Sequence, residues 1–254
     1  MFGSFEFKSK CIDTNVKVTL YVPDFLLEEK KDDIKVLYLL HGYSGNNDSW
    51  FLLTQAIAYA DKFKVAIVSP MGFNSFYTNG AFSKKLNYFT YIEDEVVTFV
   101  QNTFGLMKKR ENNFVAGLSM GGFGAIKVGI LSKNFNGIGT FSGALFKQED
   151  FLENTEGRYN AFKDIFTQDG EVLEENCLYK ITEKNKDRIK TLFLTCGKND
   201  EIPFLYEGNL AYVSLLKELE IPFETYFDDL GHDYFHWNIA LLKYLEFLKN
   251  KDLI

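Results

Sequence analysis

Short apolar runs with little polar alternation recur along this chain, at residues 36–40, 65–69, 114–117, 137–141, 191–195 and 223–227. A strand with one wet face alternates polar and apolar residues, so an unbroken run demands cover on both faces, which is what helices give a parallel sheet. Stretches of helical period supply that cover at 50–62, 91–104, 121–131, 210–219 and 237–248. Within 91–104, Ile92, Val96, Phe99, Val100 and Phe104 mark one face, and Glu93, Asp94 and Gln101 mark another. The first two segments differ. Residues 5–12 and 16–22 alternate, with the turn-like Asp13-Thr14-Asn15 between them, and predict an antiparallel pair at a sheet edge. The pattern therefore specifies an α/β fold, a mostly parallel sheet with an antiparallel N-terminal strand pair and helices on both faces.

A chain of 254 residues, 46% hydrophobic and 25% charged, buries a core without staples and is neither disordered nor fibrous. Its 28 Lys and Arg against 35 Asp and Glu leave a net charge of −7, which argues against nucleic acid or an anionic membrane as a partner. Cys11, Cys177 and Cys196 are too scattered to make a metal or disulfide motif. The first residues lack the apolar core of a secretory signal, and no stretch approaches the roughly 20 apolar residues of a membrane span, which predicts a cytoplasmic protein without a membrane partner. No internal repeat or Pro-, Gly- or Ser-rich linker divides the chain, so residues 1–254 read as a single domain. The alternation breaks at about 145–188, where polar, charged and aromatic residues mix without a strand signal. That excursion reads as an inserted, cap-like region over the sheet edge where ligands enter.

Gly117-Leu118-Ser119-Met120-Gly121 fits G-x-S-x-G in the context the pattern requires, directly after an apolar run and directly before a helix. A sharp turn of this kind exposes the serine hydroxyl as a nucleophile, which then needs a base and an acid to hold the base. His232 follows the run 223–227 and Asp200 follows the run 191–195, so both fall in loops at the carboxyl ends of strands, where α/β sheets gather their ligands. Glu201, Asp228 and Asp229 compete with Asp200 for the acid position. Backbone donors for a developing oxyanion are expected from Met120, next to the serine, and from Tyr43 in the His41-Gly42-Tyr43-Ser44-Gly45 turn. His41 is expected to order that turn rather than act as a base. The His232-Asp233-Tyr234-Phe235-His236 segment is one substitution from a zinc-binding helix motif, but Gly231 and the acidic turn put His232 at a loop end, and no metal is expected. Trp50, Phe76 and Tyr77, with Tyr159 and Phe162 of the inserted region, are candidates for an aromatic substrate pocket.

These residues together resemble the esterase D family of α/β-hydrolases, which includes tributyrin and acetyl esterases, feruloyl esterases, S-formylglutathione hydrolases and mycolyltransferases. The resemblance runs over nearly the whole chain: Leu39-Leu40-His41-Gly42 with Ser49-Trp50, Asn74-Ser75-Phe76-Tyr77-Thr78, the serine elbow with Gly122, Phe141-Ser142-Gly143-Ala144, Cys196-Gly197 with Asp200, and Gly231-His232-Asp233 with Trp237. It implies an α/β-hydrolase fold and a serine carboxylesterase acting on short-chain or aromatic esters (acetyl, butyryl, feruloyl) through an acyl-enzyme. Ser119, Asp200 and His232 would be the triad and Tyr43 and Met120 the oxyanion donors. It also implies a small-molecule ester as partner and no cofactor, and it allows a homo-oligomer. Tyr43-Ser44 stands where formylglutathione hydrolases carry Thr-Cys, which argues against that activity. Thioester hydrolysis, acyl transfer with the same triad, or simple binding on a hydrolase scaffold are the alternatives.

Overall fold

The structure, a computed structural model, describes residues 1–30, 32–81, 83, 85–106, 109–147, 162–163, 165–168, 171–202 and 205–254. Its strands are β1 (Phe2–Lys8), β2 (Asn15–Tyr21), β3 (Lys35–Leu40), β4 (Val65–Pro70), β5 (Asn113–Leu118), β6 (Gly137–Phe141), β7 (Thr167–Gln168), β8 (Glu171–Val172), β9 (Leu192–Gly197) and β10 (Glu224–Asp228). Eight of them form one sheet in the order β1-β2-β4-β3-β5-β6-β9-β10. From β4 to β10 every pairing is parallel, whereas β2 is antiparallel to both β1 and β4. The expected antiparallel pair is present at the edge, with β2 the strand that runs against the others.

Side-chain alternation explains the continuous apolar runs. Val36, Tyr38 and Leu40 of β3 enter one core, and Leu37 and Leu39 enter the other. One face is covered by α1 (Ser49–Leu53), α2 (Ala56–Phe63) and the C-terminal helix; the other by the helices of the middle of the chain. In order the latter are α3 (Tyr88–Thr90), α4 (Val97–Phe104), α5 (Met120–Leu131), α6 (Leu178–Lys184) and α7 (Leu205–Glu218), with a π-helical stretch, Tyr91–Val96, joining α3 to α4; the C-terminal helix is α8 (Tyr234–Asn250). A fully buried Val, Leu, Ile or Phe contributes about 1.5–3 kcal/mol. With both faces buried, most positions in β3, β4 and β5 contribute.

Three sequence expectations are corrected. The helix over 50–62 is two helices, because Thr54 is extended (φ −137°, ψ 178°) and its hydroxyl accepts from the Ala56 N–H at 3.1 Å, a side-chain bond that replaces a helical one. The first strand lies three residues earlier than the alternation suggested, because the turn takes up Ser9 to Thr14, closed by a Ser9 N–H to Thr14 carbonyl bond of 2.9 Å. The region 145–188 does contain strands: the β7–β8 hairpin, whose two-residue strands are too short to show a period. Much of that region, Tyr159 included, lies outside the described residues.

Helix α5 sits at the centre and is buried along nearly its whole length, so it is apolar on every side. Lys127 is the exception: it is 3% exposed, its ammonium donates to Asn176 Oδ1 and lies 5.6 Å from the centre of the Phe89 ring. Burial lowers its pKa from 10.5 to about 7. The first turn of α5 packs against the end of β3 so closely that a Cβ on Gly121 would lie 2.3 Å from the Leu40 carbonyl oxygen and 2.7 Å from that of His41.

Two predictions follow from this packing. Gly121→Ala gains up to ~1 kcal/mol of helix propensity but meets immovable backbone, so it is expected to destabilise the chain towards the upper end of the ~1–3 kcal/mol typical of overpacking, seen as a lower urea midpoint. Because Lys127 has its pKa depressed in the fold, the unfolded chain binds more protons between about 7 and 10.5, and stability should rise with pH across that window. Chemical denaturation of Lys127→Met at the two ends of the window should give a smaller rise than wild type.

Candidate active site

Chain direction places the site. From β3 the chain passes to β4 on one side, then crosses to β5 on the other, so the loops leaving β3 and β5 diverge and open a crevice at the carboxyl edge of the sheet. Ser119 leaves β5 into this crevice, and the turn 41–45 leaves β3 beside it. Their contact is close: a Cβ on Gly42 would meet the Leu118 side chain at 2.4 Å and Ser119 Cβ at 3.5 Å.

Ser119 has φ 54° and ψ −118°, a conformation that costs a non-glycine residue of order 1–3 kcal/mol. Surrounding bonds hold it there. Its N–H donates to the Phe141 carbonyl at 2.9 Å, and its own carbonyl accepts from Gly122 at 2.9 Å and Ala144 at 3.1 Å. The hydroxyl donates to His232 Nε2 at 3.0 Å. His232 Nδ1–H donates to Asp200 Oδ2 at 2.7 Å, and these two partners require the tautomer with its proton on Nδ1. The Asp200 side chain is fully buried and that of His232 is 9% exposed, so little water competes for these bonds. Asp200 Oδ1 accepts from the Ile202 N–H at 3.0 Å, which fixes the carboxylate plane.

The competing acids are engaged elsewhere. Glu201 accepts the backbone N–H of His232 at 3.2 Å, and backbone N–H groups, its own and that of His232, hold its carboxyl below the usual range. Asp228 receives His236 Nδ1 at 2.9 Å, and Asp229 pairs with Lys198 at 2.9 Å. The two histidines of the H-D-x-x-H segment thus address different carboxylates. Asp233 between them caps α8 by accepting the His236 N–H at 2.9 Å. Among the described residues no group of three or more His, Cys, Asp or Glu is arranged to hold a metal ion.

Tyr43 lies in the turn after β3, next to the Gly42 that packs on Ser119, and Met120 opens α5 directly after the serine. Among the described residues neither backbone N–H has a hydrogen-bond acceptor. His41 is fully buried: its Nε2 accepts from the Gly72 N–H at 2.8 Å and its Nδ1 donates to the Gly42 carbonyl at 2.7 Å. Burial lowers its pKa to about 4, so it stays neutral and orders the turn. Trp50 packs in the core, its indole donating to the Leu40 carbonyl at 3.2 Å and its ring lying 6.0 Å from Phe141. Tyr77 is also fully buried, donating its hydroxyl to the His41 carbonyl at 2.9 Å. Phe76 and Phe162 face each other at 4.9 Å, and Phe162 also meets Tyr43.

The contacts of three residues escaped the sequence reasoning. Asn74 accepts the Ser44 N–H at 2.7 Å and ties the turn to the next loop. Trp237 stands edge-on to His232 at 4.9 Å, and Glu201 holds the base by its backbone. All three lie in segments the sequence had singled out, but their contacts join residues distant along the chain.

The chain is similar to several known proteins. The Esterase family model matches residues 9–206. An acetyl esterase of Caldicellulosiruptor saccharolyticus is 30% identical over 262 residues, covering 95% of this chain and 96% of that protein. Two solved structures from Staphylococcus aureus are each 27% identical and overlap 98% of both chains. They are a fluorophosphonate-binding serine hydrolase, with a TM-score of 0.83, and an S-formylglutathione hydrolase, with a TM-score of 0.80. With a serine at a strained strand-to-helix turn on a mostly parallel eight-stranded sheet, the chain belongs to the Esterase family and is a serine carboxylic ester hydrolase of the α/β-hydrolase fold.

Proposed function

We propose that Ser119 is the nucleophile, His232 the general base and acid, and Asp200 the residue that orients the imidazole, in hydrolysis of short-chain or aromatic carboxylic esters through an acyl-enzyme. The observation that carries this reading is the position of one imidazole between a serine hydroxyl at 3.0 Å and a buried carboxylate at 2.7 Å. Ser119 Oγ attacks the ester carbonyl carbon as its proton passes to His232 Nε2. The N–H groups of Tyr43 and Met120 receive the negative oxygen of the tetrahedral intermediate. When that intermediate collapses, the C–O bond to the alcohol breaks and His232 returns the proton to the leaving oxygen. Water then attacks the acyl-enzyme by the same proton relay and releases the acid. Asp200 stays ionised throughout and stabilises the transient imidazolium.

Two features support the choice of acyl group. The acetyl esterase relative acts on a short acyl ester by its name, and Phe76 and Phe162 bring aromatic rings to the side of the crevice bearing Tyr43. We also read residues 1–254 as one domain in which 145–188 covers the site. Thioester hydrolysis by the same groups is the second reading, favoured by the overlap with the formylglutathione hydrolase structure.

Ser119→Ala should reduce kcat for p-nitrophenyl acetate by at least about 10³-fold with little change in thermal midpoint, since the hydroxyl serves chemistry and not packing. Asp200→Asn should cost about 10²–10⁴-fold in kcat by favouring the wrong tautomer, while the serine still labels slowly with a fluorophosphonate. Among p-nitrophenyl acetate, butyrate and octanoate the highest kcat/KM is expected for the short acyl groups. A folded wild type that cleaves no oxygen ester but cleaves an acyl thioester would favour the second reading.

A further inference from the structure

Tyr43 lies in the turn that leaves β3. The Tyr43 residue is 41% exposed, and the turn around it is held by bonds from its neighbours: Gly45 N–H to the Gly42 carbonyl at 3.0 Å and Ser44 N–H to Asn74 at 2.7 Å. What meets its side chain is Phe162, ring to ring at 5.2 Å and 71°. Phe162 comes from the inserted region, more than a hundred residues away in sequence, and also lies edge-on to Phe76 at 4.9 Å. Phe76 in turn touches Phe123 at 5.6 Å and Phe166 at 5.1 Å, and Phe123 lies one helical turn after the serine on α5. The short helical segment bearing Phe162 is tied to α5 a second time, because Asn176 donates to the Ile165 carbonyl at 2.9 Å and accepts from buried Lys127. Edge-to-face ring pairs of this kind contribute beyond their buried area and constrain orientation.

We propose that Phe162 is a positioning residue: by bridging the Tyr43 ring to Phe76 it sets the direction of the Tyr43 N–H, and so acts on oxyanion stabilisation rather than on the fit of the acyl group. The proposal rests on the reading of the site given above. An oxyanion donor acts only when it is aimed at the oxygen as charge develops there, and a shift of about 1 Å in such a group costs up to about 10²-fold. The inserted region then completes the catalytic geometry, and loss of its ring lowers the rate for every ester alike.

The test measures kcat and KM of the full chain for p-nitrophenyl acetate, butyrate and octanoate, per serine titrated by a fluorophosphonate. The variants are Phe162→Ala, Phe162→Tyr, Tyr43→Ala and the double variant Phe162→Ala/Tyr43→Ala. Phe162→Ala is expected to lower kcat about tenfold on all three esters with KM within about twofold. Phe162→Tyr, which keeps the ring, should recover most of the rate. The double variant should lose no more than the worse single one, because both substitutions cut one chain of contacts. A loss that grows with acyl length or appears in KM, an unchanged kcat, or losses that multiply in the double variant would each overturn the proposal. If Phe162→Ala does not fold, Phe162→Val takes its place in the cycle under the same criteria. A wild type inactive on all three esters rejects the underlying reading and this inference with it, whereas an active wild type with multiplying losses rejects this inference alone.

Discussion

The close approach of α5 to the ends of β3 and β5 is the constraint on which this structure depends. Ser119 adopts a strained turn so that the chain reverses from strand to helix without any intervening loop, and the helix must then start within contact distance of the Leu40 and His41 carbonyls. The hydrogen bonds to Phe141, Gly122 and Ala144 over-determine that conformation, so the strain is balanced by three bonds at once. A more relaxed connection would fill the same space with loop and leave the serine hydroxyl pointing elsewhere.

Around this fixed point the two histidines of the site are held in different ways. His232 is gripped at its ring by Asp200 and at its own N–H by Glu201, with Trp237 closing one side. His41 uses both ring nitrogens on backbone groups and is kept neutral by burial, which lets it brace the turn without bringing a second charge near the serine. The histidines therefore divide structural and chemical duties according to what surrounds them. Their residue type alone does not distinguish them.

Much of this was legible in the chain. Continuous apolar runs marked a doubly covered sheet because both faces of β3 and β4 pack in cores. The G-x-S-x-G pattern marked the turn at Ser119, and the apolar runs before Asp200 and His232 put both at the carboxyl ends of strands. Two elements were hidden. The break at Thr54 turns on a single hydroxyl competing with the helix, and the β7–β8 hairpin is too short for periodicity to register. Trp50, legible as an aromatic near the site, proved to be core, because an indole after the 41–45 turn packs equally well towards the sheet.

The sequence by itself determined the fold class, the order of the strands along the chain and the place of Ser119 at a strand-to-helix turn, because each follows from local periodicity or from the steric demands of one turn. Only the tertiary structure decided which carboxylate serves His232, which of four acids is buried against it, and that a ring from the inserted region rests on Tyr43. Those outcomes depend on distances between residues far apart in the chain, and such distances are set by how the two cores close around the sheet. No pattern within a window of sequence encodes them.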